Sequence, residues 1–268
     1  MLKIEKTEVY GWEAALRGMR NPKNSWGRSD TVMKSTVLKA EEIASGVTIY
    51  NQEYCTPYPV IGPNDLKLAM QLRNAGPEHA KFLRMIVATC DITAPLYWWK
   101  EFDTYKVGTV ANSCSTMHKI ADKEFMLDDF SYEHLISIDD PSKAEDAANS
   151  GEYPFVDITP YKDGGIIYSP LGVLNITIAM LNECRMKYIT ALKTDDECGI
   201  SAKELWWQMI QLLPSSYNQK RTVFLNYWVL ANIYHQRQHH KLDEWRVTFC
   251  DWIRSLPYSN LIIGDESK

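Results

Sequence analysis

Hydrophobic and polar positions alternate in blocks along this chain, and the blocks predict a mixed architecture. Residues 1–10 read as a first strand, with Leu2, Ile4 and Val9 set among charges. Residues 11–19 suit a short helix, and residues 20–30 (RNPKNSWGRSD) form a basic, turn-rich loop. A helix is expected over 31–45, then an extended stretch over 47–61 interrupted by Pro57 and Pro59. Residues 64–72 read as a helix stopped by Asn74-Ala75-Gly76-Pro77. Alternation over 80–92 predicts a strand, and Pro95 opens a helix through Trp98, Trp99 and Phe102.

The second half is more helical. Leu174, Ile178, Leu181, Cys184, Tyr188 and Ala191 share one face of a long helix that starts near Pro170. Ser201 and Glu204 form a capping box for a helix that ends before Pro214. Residues 217–237 are a further helix candidate. A last helix over 242–256 buries Leu242, Trp245, Phe249, Ile253 and Leu256. Between the halves, residues 127–157 are acidic and polar, with a short helix expected over 131–136. A hairpin turn is expected at Asp163-Gly164-Gly165.

Composition narrows the function classes. With 268 residues, the chain can bury a sizeable core. Its formal net charge of −5 removes the general electrostatic case for nucleic acid, so an anion site must be a local cluster of Lys and Arg. Arg17, Arg20 and Arg28 reach a phosphate if the 20–30 loop folds back. No run is long enough to cross a bilayer and no secretory leader is evident, so a cytoplasmic protein is expected. The six cysteines make no CxxC pair and read as reduced thiols, mostly small core residues. His235, His239 and His240 cluster without an HExxH pattern, and no metal site is assigned.

Two segments carry candidate chemistry. The stretch 98–119 delivers a small polar run after an aromatic helix. Near the C-terminus, Arg237 and Arg246 offer guanidinium groups suited to phosphate. Each residue of an α-helix turns the chain by about 100°, which puts these two arginines on opposite faces of an unbroken helix. They converge only if the helix breaks near His239-His240.

In these segments the sequence resembles the flavin-dependent thymidylate synthases. Pro77-Glu78-His79 matches the family's first element, and Ala94-Pro95-Leu96 begins the helix leading to its signature, RHRxxSxNExSxRY. Thr104-Tyr105-Lys106 falls on RHR, Thr109 on the first Ser, Asn112 on the Asn with one extra residue, and Ser115 on the second Ser. Arg237, Glu244 and Arg246 match the closing pattern. Both signature arginines of RHR are absent, and Lys106 alone keeps a positive charge there. The SxNE glutamate falls on Ser113, and the closing Arg-Tyr on Met117-His118.

The resemblance implies an α/β (α+β) fold, a twisted sheet with long helices, as a single domain over 1–268 with an insertion at about 123–163. It implies a homotetramer with sites between subunits. It implies FAD as cofactor, with NADPH and methylenetetrahydrofolate as co-substrates and dUMP as the pyrimidine nucleotide methylated at C5. His79, Tyr105, Lys106 and Arg237 would then hold the flavin. Glu101, Asn112, Ser115 and Arg246 would hold the nucleotide, and Ser115 and Lys106 would serve catalysis. No base in the sequence marks Ser115 as a nucleophile. Two alternatives stay open: an enzyme acting on another or modified pyrimidine nucleotide, and a nucleotide-binding protein that has lost flavin and catalysis.

Overall fold

A computed structural model describes residues 2–38, 54–137, 157–159, 166–193 and 200–264. Four strands form the main sheet: β1 (Lys3–Tyr10), β4 (Val87–Pro95), β5 (Thr109–Ser113) and β8 (Asn218–Asn226), in the order β1-β4-β8-β5. Along β4 the side chains of Ala88, Cys90, Ile92 and Ala94 are buried and alternate with half-buried neighbours. Such alternation is the signature of a strand with one face on a core. Two further ribbons are antiparallel: β2 (Val32–Leu38) with β3 (Tyr54–Val60), and β6 (Asp157–Thr159) with β7 (Ile166–Tyr168).

The chain divides into two compact units. The first comprises Met1–Lys3, Ile92–Thr104 and Asn112–Arg221. Its core gathers Ile120, Phe125, Phe130, Leu174, Ile178, Leu181 and Met209. Two of its helices meet there, α5 (Pro170–Ala191) and α6 (Ala202–Leu212). Both start as the sequence predicts. The Ser169 hydroxyl accepts from the Gly172 N–H at 3.0 Å, and Ser201 and Glu204 cap each other reciprocally. In the same unit Trp98, Trp99 and Phe102 pack together on α3 (Leu96–Phe102), with Trp98 and Phe102 stacked 5.2 Å apart.

The second unit comprises Ile4–Asp91, Tyr105–Ala111 and Thr222–Lys268. It contains α1 (Trp12–Arg20), α2 (Pro63–Asn74) and α7 (Tyr227–Arg237). Trp12 meets the Tyr227 ring edge-on at 5.4 Å, and Leu230, Ile233, Phe249, Ile253 and Ile262 are fully buried.

Several expected elements fold differently. Residues 31–45 were expected to be helical, but Val32–Leu38 is a strand, registered residue for residue from Val32 opposite Val60 to Leu38 opposite Tyr54. Its β-branched residues suit that pairing. Residues 217–237 split at Asn226: a strand precedes it, and the Asn226 carboxamide accepts from the Val229 N–H at 2.9 Å to start α7. In 80–92, Phe82 and Leu83 are both buried in a tight turn of helix over Ala80–Arg84, which delays the strand to Val87. The 131–136 segment is turns rather than helix. The last helix contains a π-helical turn at Glu244–Phe249 before α8 (Cys250–Ser255); it buries Trp245, Phe249, Ile253 and Leu256 as expected, but Leu242 precedes it and is only half-buried. The expected Asp163-Gly164-Gly165 turn and most of the acidic insertion lie outside the described residues.

Candidate functional site

The second unit brings Tyr105 and Arg237 together. Arg237 is the last residue of α7, and its Nε donates to the Tyr105 hydroxyl at 2.8 Å. That hydroxyl donates in turn to Gln236 Oε1 at 2.9 Å. The guanidinium carbon lies 5.5 Å from the centre of the Tyr105 ring and 4.9 Å from that of Trp245. A cation against aromatic faces is held electrostatically as well as by contact. Trp245 is fully buried and is flanked by the Tyr105 ring at 6.2 Å and the His240 ring at 6.5 Å.

Local sequence explains how Tyr105 reaches this point. Gly108 has a φ of +78°, and a Cβ there would stand 2.5 Å from the Asn226 side chain. Only glycine allows this approach at the start of α7. The Gly108 carbonyl accepts from the Asn226 N–H at 3.4 Å. Three residues before Gly108, the Tyr105 carbonyl accepts from the Thr109 hydroxyl. The segment is thus tied to the start of α7 through Gly108 and to its end through Tyr105.

The chain breaks where the two-arginine reading requires. α7 ends at Arg237, and the His240 N–H closes a turn on the Arg237 carbonyl at 3.0 Å. Helical structure resumes at Asp243, which places Trp245 beneath the guanidinium. Arg246 follows on the π-helical turn, exposed and paired with Asp243 at 2.6 Å. Lys106 is exposed and has no ion-pair partner among the described residues. His79 is also exposed, in the turn after Gly76, and its side chain makes no hydrogen bond or ring contact among the described residues.

The histidine cluster is dispersed. His235 Nε2 lies 3.1 Å from an Arg73 nitrogen, and His240 Nδ1 accepts from the Leu242 N–H at 3.1 Å. Among the described residues no His, Cys, Asp and Glu side chains gather as a metal site.

The first unit carries Glu101, Asn112 and Ser115. Glu101 is half-buried on α3, and Asn112 is exposed on β5. Ser115 caps the short helix α4 (Thr116–Lys119), with its Oγ accepting from the His118 N–H at 3.2 Å. The Gln219 amide pins this loop by donating to the Cys114 carbonyl and the Thr116 hydroxyl, each at 3.0 Å. Arg221 lies 4.2 Å over the Trp99 ring and binds Asp103 at 2.7 Å and Gln219 at 2.9 Å. Residue types alone gave no signal for Gln219 and Arg221, and Trp245 was legible only as a core residue.

No family model matches this chain, and no curated protein matches it. Solved structures do. Thymidylate synthase X from Helicobacter pylori, with FAD and dUMP, aligns with a TM-score of 0.54 at 14% identity, over 97% of this chain and 96% of that one. A second H. pylori structure, of the flavin-dependent thymidylate synthase with FAD and dUMP, gives 0.54 at 13% with the same coverage. A UMP/dUMP methylase, PolB from Streptomyces cacaoi with 5-Br dUMP, gives 0.50 at 12% over 97% and 92%. At these identities the fold is what the chains share: this protein has the fold of the flavin-dependent thymidylate synthases.

Proposed function

We propose that this protein binds a pyrimidine nucleotide and, with a flavin, modifies C5 of its base, converting dUMP to dTMP or performing a close variant of that reaction. The observation that carries the reading is the Tyr105–Arg237–Trp245 stack. It joins the two segments of family resemblance, on a fold shared with enzymes solved with dUMP and 5-Br dUMP.

The residues fit a flavin dinucleotide. The half-buried Tyr105 ring and the Arg237 guanidinium, backed by the buried Trp245, offer planar surfaces, and Lys106, with no ion-pair partner among the described residues, offers an ammonium for phosphate. When bound, the flavin would pass on a hydride drawn from NADPH, while methylenetetrahydrofolate would give the carbon. The protein's own task is positioning. Arg237, held by Tyr105, would meet the cofactor in a fixed orientation, and His79 would add a second polar contact. Arg246 exchanges an exposed Asp243 for the nucleotide phosphate, a small loss because exposed ion pairs contribute about 0–1 kcal/mol. By the family resemblance alone, Glu101, Asn112 and Ser115 would supply hydrogen bonds to a nucleotide, and Lys106 would offset charge that develops on the pyrimidine.

One observation favours a second substrate. Thr104 and Lys106 stand where the signature has arginines, and one fold neighbour is a UMP/dUMP methylase, so UMP or a modified pyrimidine nucleotide belongs in the same assay. The test is release of tritium from C5-labelled dUMP and UMP with FAD, NADPH and methylenetetrahydrofolate. Release that depends on flavin and nucleotide supports the proposal. A protein that binds nucleotide but releases no label and takes up no flavin has kept the fold without the reaction.

Assembly as a homotetramer belongs to the same proposal. Val173, Ile176, Met180 and Met186 are about half exposed or more on the side of α5 away from Leu174, Ile178 and Leu181. Exposed apolar side chains grouped in this way mark interaction surfaces. Among the described residues no helix is long and apolar enough to cross a membrane.

A further inference from the structure

We propose that the second unit carries a separate site for small phosphate-rich anions, built where the 20–30 loop folds onto α2. The fold-back rests on two aspartates. Asp65, fully buried in the first turn of α2, accepts from Arg20 Nε at 2.6 Å, the Ser29 hydroxyl at 2.7 Å, the Thr31 hydroxyl at 2.6 Å and the Thr31 N–H at 3.1 Å. Asp30 reciprocates by accepting from the Asn64 and Asp65 N–H groups at 2.8 and 3.0 Å. The loop is therefore fixed against the helix.

Between loop and helix lies an open cavity of about 520 Å³. Lys23 and Arg28 line it from the loop and Lys67 from the helix, with Asn24, Asn64 and Gln71 as neutral donors. All three cations are exposed, and none has an ion-pair partner among the described residues. Arg20 forms part of the wall, but its charge is committed to Asp65. No carboxylate and no aromatic ring lines the cavity among the described residues.

Three uncompensated cations on one concave surface select a multiply charged anion. The absence of an aromatic face means that a base is not read. The ligand class is therefore a di- or triphosphate, free or attached to a nucleoside, recognised through its phosphates. This site does not depend on the proposed C5 chemistry.

The test is calorimetric titration of the whole protein with inorganic tripolyphosphate, orthophosphate and a nucleoside triphosphate, at low and high salt. The expected result is tripolyphosphate binding that weakens as salt rises and exceeds orthophosphate binding. Affinity should fall at least about tenfold in Arg28→Ala/Lys67→Ala and stay unchanged in Lys187→Ala, a surface control on α5. Lys67→Gln alone gives the same direction should the double variant fold poorly. The nucleoside triphosphate should match tripolyphosphate within about threefold, since no ring is held. Absence of binding, or equal binding by parent and variants, would overturn the site. A nucleotide preference of tenfold or more that survives in the variants would also overturn it.

Discussion

Arg237 Nε donates to the Tyr105 hydroxyl at 2.8 Å across 132 residues of sequence, and the same guanidinium lies over Trp245. This pair makes Tyr105 more than a ring in the place of the signature histidine. Its hydroxyl orients the arginine, and the arginine in turn holds the 105–108 segment. Tyr105→Phe keeps the ring and removes two hydrogen bonds. The expected cost is about 1–2 kcal/mol in urea unfolding, together with weaker flavin retention. Arg237→Lys keeps the charge but loses the planar stack, and is expected to weaken flavin binding about tenfold or more in a fluorescence titration. Unchanged stability in Tyr105→Phe and unchanged flavin affinity in Arg237→Lys would remove the pair from the site.

Asp65 makes the second unit's stability sensitive to acid. Burial alone would raise its carboxyl, but hydrogen bonds from Thr31, Ser29 and Arg20, with the Arg20 charge, outweigh burial and hold it below the ordinary carboxylate value. Its contribution to stability is complete above the unfolded-state value and is lost as pH falls through the lower folded value. Asp65→Ala strands a buried Arg20 and is expected to cost about 3–5 kcal/mol at neutral pH. Urea melts from neutral to strongly acidic pH should show the parent losing stability in the acid range and Asp65→Ala showing a flatter profile there.

His235 titrates low. Burial, followed by the nearby Arg73 charge, disfavours its protonated form. Its neutral state therefore stabilises the fold above the unfolded-state value, and that contribution is lost as pH falls through the depressed folded value. An NMR titration should give a His235 midpoint below that of an unperturbed histidine, shifted part of the way back in Arg73→Gln. A midpoint at or above the ordinary value would contradict the Arg73 contact.

The exposed apolar side of α5 predicts self-association. Sedimentation of the parent should give a tetramer, and Ile176→Glu/Met180→Glu should yield smaller species with helix content retained. A monomeric parent at micromolar concentration would remove the shared-site arrangement from the functional proposal.

What the sequence revealed was mostly local. The starts of α5 and α6 follow from Ser169-Pro170 and the Ser201/Glu204 box, because a cap lies within a few residues of what it caps. The strand at Val32–Leu38 was hidden because its partner lies at Tyr54–Val60, and pairing at that distance leaves no local signature. β8 was read as helix for the same reason, its strand character coming from neighbours in the sheet.

The site divides along the same line. Arg237 was legible as a candidate and Tyr105 came from the resemblance, whereas the break after Arg237 was only a condition for Arg237 and Arg246 to converge. Trp245 as the surface beneath Arg237, and Gln219 as the anchor of the Ser115 loop, depend on tertiary contacts. Asp65 reads in sequence as an ordinary acid in a helix's first turn. Only the folded loop makes it a buried acceptor for Arg20, Ser29 and Thr31.

The most direct test of the central claim is an absorbance scan of protein incubated with FAD and then desalted, repeated with dUMP and with UMP. The account predicts flavin bands near roughly 375 and 450 nm that survive desalting, change on nucleotide addition, and are lost in Arg237→Ala. A folded parent that retains no flavin, with or without nucleotide, would contradict it.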